Sequence, residues 1–259
     1  CATALADLAV LALLLVNWVV AFAYFAPTAL SGRISLYRRP TIGLALWFGF
    51  FVASVLALAV AALLACYSIF ATWTELQATR VGSDRWFEAL VVSFAPWLVL
   101  AFAGIAAGLA NQRLEGLFQP ENRITPGLLG ARQVGSFDGF KVLELPLEFV
   151  YLGSSATERA VVQTSGARLA LSKQEMLACY QHEAAHLRGR HAKIAASLTV
   201  PLAAFGWLAV TRAMTKEVSL LLELLADKSV GDKFALSAAI AKVSSPDNET
   251  SWRLIALRE

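Results

Sequence analysis

Two histidines and a glutamate lie within one short segment, Gln181-His182-Glu183-Ala184-Ala185-His186, and their spacing suits hydrolytic metal chemistry. Residues four apart on an α-helix are separated by about 40° around the axis and about 6 Å along it, so both imidazoles project toward a single point. One zinc ion can take both. Glu183 lies about 100° round from His182 on a helix. That is near enough to the same face to act as general base on a water at the ion without competing for the metal. The chain holds only three histidines, so chance placement of two of them around a glutamate at this spacing is a percent-level event.

A catalytic zinc takes three protein ligands and keeps a fourth position open. The acids after the motif are Glu217, Glu223, Asp227, Asp232, Asp247, Glu249 and Glu259, most of them in polar or turn-like surroundings. Glu223 and Asp227 differ, because they sit four apart in the apolar run Val218-Ser-Leu-Leu-Leu-Glu-Leu-Leu-Ala-Asp227. A helix would present both carboxylates on one face. Glu223 then suits the metal, and Asp227 suits an imidazole N–H, fixing the tautomer of a ligating histidine. His191 falls about 140° beyond His186 on a continuing helix, which makes it an interfacial base rather than a ligand. Arg188, Arg190 and Lys193 are expected at lipid headgroups, and Cys179 in a buried apolar place.

The helix carrying the motif has a legible start, since Ser172 stands three residues before Glu175 in capping-box spacing. Upstream, Lys141 to Gly153 and Arg159 to Thr164 read as short strands with β-branched runs broken by Gly and Ser. Pro146 assigns the first of them to a sheet edge. The stretch near Arg159 to Thr164 is the edge beside which an extended substrate would pair. Residues 111–140, with Pro120, Pro126, Gly127, Gly130 and Gly135, read as a linker.

Composition places much of the chain in a bilayer. Of 259 residues, 58% are hydrophobic and only 16% charged, too apolar for an ordinary soluble domain. Leu8 to Ala26, Ile42 to Ala65 and Trp86 to Ala110 are each long enough to cross a hydrocarbon core of about 30 Å, which takes about 20 residues of helix. Trp18, Tyr24, Trp47, Tyr67, Trp73 and Trp86 stand near the ends of these runs as interfacial residues. Arg33, Arg38 and Arg39 in the first connection have no acid among them, whereas Arg80 and Arg85 in the second are balanced by Glu75 and Asp84. The first connection is therefore expected in the cytoplasm, together with everything after Ala110.

Lys193 to Met214 is apolar enough for another span, yet a single crossing would put His186 and Glu223 on opposite sides of the membrane. Pro201 and Gly206 interrupt it, so a re-entrant or interfacial hairpin over 192–214 is expected. The net charge of +3 comes from scattered Lys and Arg rather than a basic block, which excludes a nucleic-acid footprint. Three cysteines imply no disulfide framework. The chain starts at Cys1 and has Met only at 176 and 214, so a trimmed or truncated chain is expected.

The pairing of HExxH with a later ExxxD, here His182-Glu-Ala-Ala-His186 and Glu223-Leu-Leu-Ala-Asp227, resembles the gluzincin pattern. With three preceding spans it resembles the BlaR/MecR-type integral-membrane metallopeptidases. Val161-Val-Gln-Thr-Ser-Gly166, Leu171-Ser-Lys-Gln-Glu175 and His186-Leu-Arg-Gly-Arg-His191 are similar to actinobacterial members of that family. The resemblance covers roughly Ala26 to Val243. It implies zinc ligands His182, His186 and Glu223, a catalytic base Glu183 and an orienting acid Asp227. No Ser has Lys three residues later, so the acylated sensor of the beta-lactam receptors has no counterpart here.

The expected architecture is a mainly α membrane protein. Residues 1–110 supply three transmembrane helices, 111–140 a linker, and 141–259 a small α+β zincin-like domain. The expected activity is zinc-dependent endopeptidase action on protein or peptide at the cytoplasmic face of a bacterial inner membrane. The alternatives are an HtpX- or CAAX-type protease, which generally places two spans between the two motifs, and a non-proteolytic zinc-binding signal transducer.

Overall fold

The structure is a computed structural model describing residues 2–79, 128–243 and 248–258. It is mostly helical, with one small four-stranded sheet. The chain divides into two compact units, the first Cys1–Gly32, Ala45–Gln119 and Gly206–Met214, the second Arg33–Leu44, Pro120–Phe205 and Thr215–Glu259.

Helices α1 (Ala2–Leu30) and α3 (Pro40–Thr79) dominate the first unit, with the short α2 (Ile34–Tyr37) between them in sequence. Val10–Leu30 and Pro40–Ser68 are long and apolar enough to cross a membrane, with mean hydropathies of 2.1 and 2.5. Only 17% and 22% of those stretches are buried within the protein, and Leu14, Phe25, Leu56 and Leu63 are exposed. Bare apolar side chains of this kind need lipid or another apolar partner. α1 and α3 meet through Ala12, Val16 and Ala61, where small side chains let backbones approach closely. Phe22 stacks on Phe50 at 5.3 Å. Trp18, Tyr24 and Tyr67 are exposed, but Trp47 is fully buried and belongs to the packing instead. The third expected span, Trp86 to Ala110, lies outside the described residues.

In the second unit the sheet has order β1-β2-β4-β3, with β1 Arg132–Phe137, β2 Phe140–Leu145, β3 Leu152–Ser155 and β4 Ala160–Thr164. β1 and β2 form an antiparallel hairpin closed by Asp138 and Gly139, with φ of 50° and 78°. Positive φ at both turn residues is the signature of a type I′ turn, whose twist matches the strands. Three readings are corrected here. The expected linker carries a strand from Arg132, whose residues are almost all exposed and so lack the apolar alternation that marks a strand. Pro146 follows β2 rather than marking an edge, because β2 lies between β1 and β4. β4 is wholly buried between β2 and β3, so the free edges belong to β1 and β3.

After β4 come α4 (Ser165–Ala170), α5 (Lys173–Arg188), α6 (His191–Ser197), α7 (Thr199–Phe205), α8 (Ala209–Asp227), α9 (Lys233–Val243) and α10 (Asn248–Arg258). The 192–214 stretch is thus broken helix, with interruptions at Leu198 and 206–208. Pro201 sits in the first turn of α7, where its missing N–H costs nothing. α5, α9 and α10 pack around Ala178, Val230, Leu236, Ile240 and Leu257.

Candidate metal centre

α5 starts where the sequence places it. Ser172 Oγ accepts from Glu175 N at 3.3 Å, and Glu175 Oε2 accepts from Ser172 N at 2.7 Å. Lys242 of α9 donates to the same Oε2 at 2.8 Å. The Lys242 hydrogen bond, then the Ser172 backbone, hold the Glu175 carboxyl below its ordinary range. One glutamate thereby fixes both the first turn of the motif helix and its docking to α9. The other flank of α5 packs on β3 and β4. There Tyr180 donates to Gln163 of β4, and the Gln163 amide donates to Glu144 at 3.0 Å.

α8 delivers the acids. A Cβ on Gly43 would lie 2.9 Å from both methyls of Leu221, so the absent side chain admits α8 against the start of α3. Tyr37, itself buried, donates to Glu217 at 3.1–3.2 Å. Glu223 and Asp227 follow on the next two turns of the same helix.

His182, His186 and Glu223 converge. His182 Nε2 is 3.1 Å from His186 Nε2 and 3.3 Å from Glu223 Oε2, and His186 Nε2 is 3.6 Å from Glu223 Oε1. Ligands about 2.0–2.1 Å from a tetrahedral zinc stand about 3.3 Å from one another. The imidazole nitrogens and the two Glu223 oxygens they face lie at separations that bracket that value, and one ligand atom from each residue falls within 4.8 Å of the others, a spacing compatible with one small ion. Nitrogen and carboxylate donors in this combination suit the ion, and the residues could hold a metal. His186 and Glu223 also lie on one side of any membrane, as sharing an ion requires.

Asp227 Oδ1 stands 2.8 Å from His182 Nδ1. The N–H is not well aligned with the carboxylate, so this is a close ionic contact rather than a linear hydrogen bond. Burial disfavours the charged form of His182, but Asp227 and Glu223 outweigh it and push the imidazole up to about 10 without a metal. Burial would raise Glu223, yet hydrogen bonds from His182 and His186, helped by the Arg253 charge, hold it well below the ordinary range. Asp227 is lowered against its burial by His182 and Arg253.

Two neighbours escaped the sequence reading. Arg253 of α10 donates to Asp227 through Nε at 2.9 Å and Nη2 at 2.8 Å, and its Nη1 lies 2.9 Å from Glu223 Oε2. It comes 26 residues after Asp227, on a helix whose apolar neighbours Leu254 and Leu257 were the available sign of burial. His191 is buried rather than interfacial, with Nδ1 3.0 Å from His186 Nδ1. Burial and the adjacent His186 push it down to about 4. The reading as one continuous helix failed because Arg190 adopts left-handed backbone, φ 52°, and turns His191 back. Arg188, expected at headgroups, pairs with Asp138 at 2.9 Å.

Glu183 is partly buried beside His182, and its charge, after burial, raises the Tyr151 phenol. The Cys179 thiol, buried as expected, is pushed up to about 12 first by desolvation and then by Glu183, which makes it inert. Comparison of the chain with protein-family models, with curated proteins and with solved structures gave no match.

Proposed function

We propose that this protein is an integral-membrane zinc endopeptidase of the gluzincin type, built as a zincin-like domain on three membrane spans. By the same reading its site faces the cytoplasm of a bacterial cell. His182, His186 and Glu223 would hold the ion, Glu183 is the general base, and Asp227 orients His182. The observation that carries the reading is the convergence of two imidazole nitrogens 3.1 Å apart on the two oxygens of one carboxylate at 3.3 and 3.6 Å, beside Glu183, which has no hydrogen bond or ion pair among the described residues. A structural zinc site uses four protein ligands and has no need of such a base.

A zinc ion held there would polarise the scissile carbonyl and bring the pKa of water toward neutrality. Glu183 takes the proton from the attacking water and returns it to the leaving amine. Asp227 keeps the His182 proton on Nδ1, leaving Nε2 as donor. Arg253 holds Glu223 and Asp227 in place through contacts of 2.8–2.9 Å.

Substrate pairing belongs to β3 rather than β4. Thr164 N donates to Tyr151 O at 3.1 Å, which makes that pair hydrogen-bonded. By antiparallel alternation, Leu152 and Ser154 turn their backbone N–H and C=O away from β4. An extended peptide adds to such an edge by main-chain bonds alone, and α5 lies against the same strand.

The test is metal analysis together with casein and self-cleavage assays on the purified chain in detergent. Glu183→Gln should keep zinc and lose cleavage by at least about 100-fold, while His186→Leu should lose both. Wild-type protein without zinc would overturn the reading. Zinc without any cleavage would favour the signal transducer.

A further inference from the structure

We infer that His191 is a positioning residue for His186, the partner that sets which nitrogen His186 offers to a metal. The inference rests on the zinc reading of the preceding section.

His186 Nε2 faces His182 Nε2 and Glu223, so this nitrogen must keep its lone pair if it is to bind an ion. The ring proton then resides on Nδ1. That proton needs an acceptor, since imidazole ligands are oriented by a group receiving their other N–H. His182 has the Asp227 carboxylate 2.8 Å from its Nδ1. For His186 the atom at hydrogen-bond distance is His191 Nδ1, 3.0 Å away, with the rings nearly perpendicular at 86° and centroids 4.8 Å apart. His186 Nδ1–H therefore donates to the His191 Nδ1 lone pair, and His191 carries its own proton on Nε2.

The backbone is shaped for this contact. α5 ends at Gly189, Arg190 takes the left-handed region at φ 52°, and α6 begins with His191. A Cβ on Gly189 would lie 2.4 Å from His191 Nε2 and 2.6 Å from Cδ2, so the ring occupies the space that a side chain would take. Gly189 itself has φ −72°, which any residue can adopt, so crowding of the ring is the reason for glycine. An arginine in left-handed backbone and a glycine beneath the ring together hold one imidazole against another. A neutral acceptor distinguishes this arm from the carboxylate on His182.

The experiment measures zinc affinity by chelator competition, and the visible spectrum of the cobalt-substituted full chain, for wild type, His191→Leu, His191→Asn and Gly189→Ala. The Asn amide oxygen can accept the same proton. Loss of an orienting partner typically weakens metal affinity about 10–100-fold. We expect that loss and an altered cobalt spectrum in His191→Leu, recovery to within about threefold in His191→Asn, and an intermediate loss in Gly189→Ala. Unchanged affinity in His191→Leu would overturn the inference. So would equal losses in the Leu and Asn variants, which would make His191 a ligand or a packing residue. If His191→Leu does not fold, Asn and Gly189→Ala decide by the same criteria. Wild type that binds zinc and cleaves, beside indifferent His191 variants, refutes this inference alone. Wild type without zinc refutes the function as well.

Discussion

Replacing Arg253 by Met should destabilise the metal-free protein far more than the zinc-loaded one. The guanidinium is 11% exposed and touches two carboxylates, Glu223 at 16% and Asp227 at 4% exposure, through contacts of 2.8–2.9 Å. Unit charges about 4 Å apart attract by about 4 kcal/mol at an effective dielectric of about 20. Two partners thus give a gross attraction of about 8 kcal/mol, of which desolvation removes a large share. Removing one member of a buried pair typically costs about 3–5 kcal/mol, which corresponds to a fall in Tm of roughly 6–20 °C for a domain of this size.

The metal dependence follows from charge. Glu223 and Asp227 face one guanidinium, and a divalent cation would balance the two. His182, pushed up to about 10 without a metal, supplies one positive charge, so without Arg253 the metal-free pair of carboxylates keeps one uncompensated negative charge, whereas a divalent ion with neutral imidazoles balances both. We expect less than half of the destabilisation to survive in zinc, read by tryptophan fluorescence during thermal unfolding in detergent with zinc or with chelator. Arg253→Lys should recover only part of the loss, because an ammonium does not reproduce a fork across two carboxylates. Equal losses with and without zinc, or a loss below about 1 kcal/mol, would refute the reasoning.

Glu175 makes stability depend on acid. Its folded-state pKa is depressed, so its contribution is fully present above the ordinary carboxylate pKa and disappears as pH falls through the lower folded value. The Tm gap between wild type and Glu175→Gln should therefore be constant near neutrality and close below about pH 4; a gap unchanged at pH 3 would contradict the assignment. Ser154→Pro removes an outward N–H without touching the β3–β4 ladder, and should raise KM for a peptide substrate about 5–10-fold, the value of one hydrogen bond, with zinc content unchanged. Normal KM would argue against strand addition at β3.

The motif helix and its acids were legible because local rules govern them. A capping box specifies where α5 starts, and four-residue spacing puts His182 with His186, and Glu223 with Asp227, on common faces whatever the surroundings. The partners were not legible because they depend on chain reversals. His191 depends on one left-handed residue, and Arg253 on the docking of a helix beyond the acids it serves. β1 escaped for another reason, since an exposed strand buries nothing and shows no alternation, although Asp138-Gly139 carried the signature of its turn. The edge assignment of β4 failed where its apolar run, Ala160 to Val162, already fitted a strand covered on both faces.

The position of Arg253 also bears on how the protein is made. A ribosome releases the two histidines first, the two acids next, and the guanidinium that neutralises those acids only afterwards. Until α10 docks, Glu223 and Asp227 repel one another on a half-finished surface, and the orientation of His182 lacks its anchor. The donor set is thereby completed only after α10 has left the ribosome, so a metal offered earlier meets acids and an imidazole that are not yet held in place.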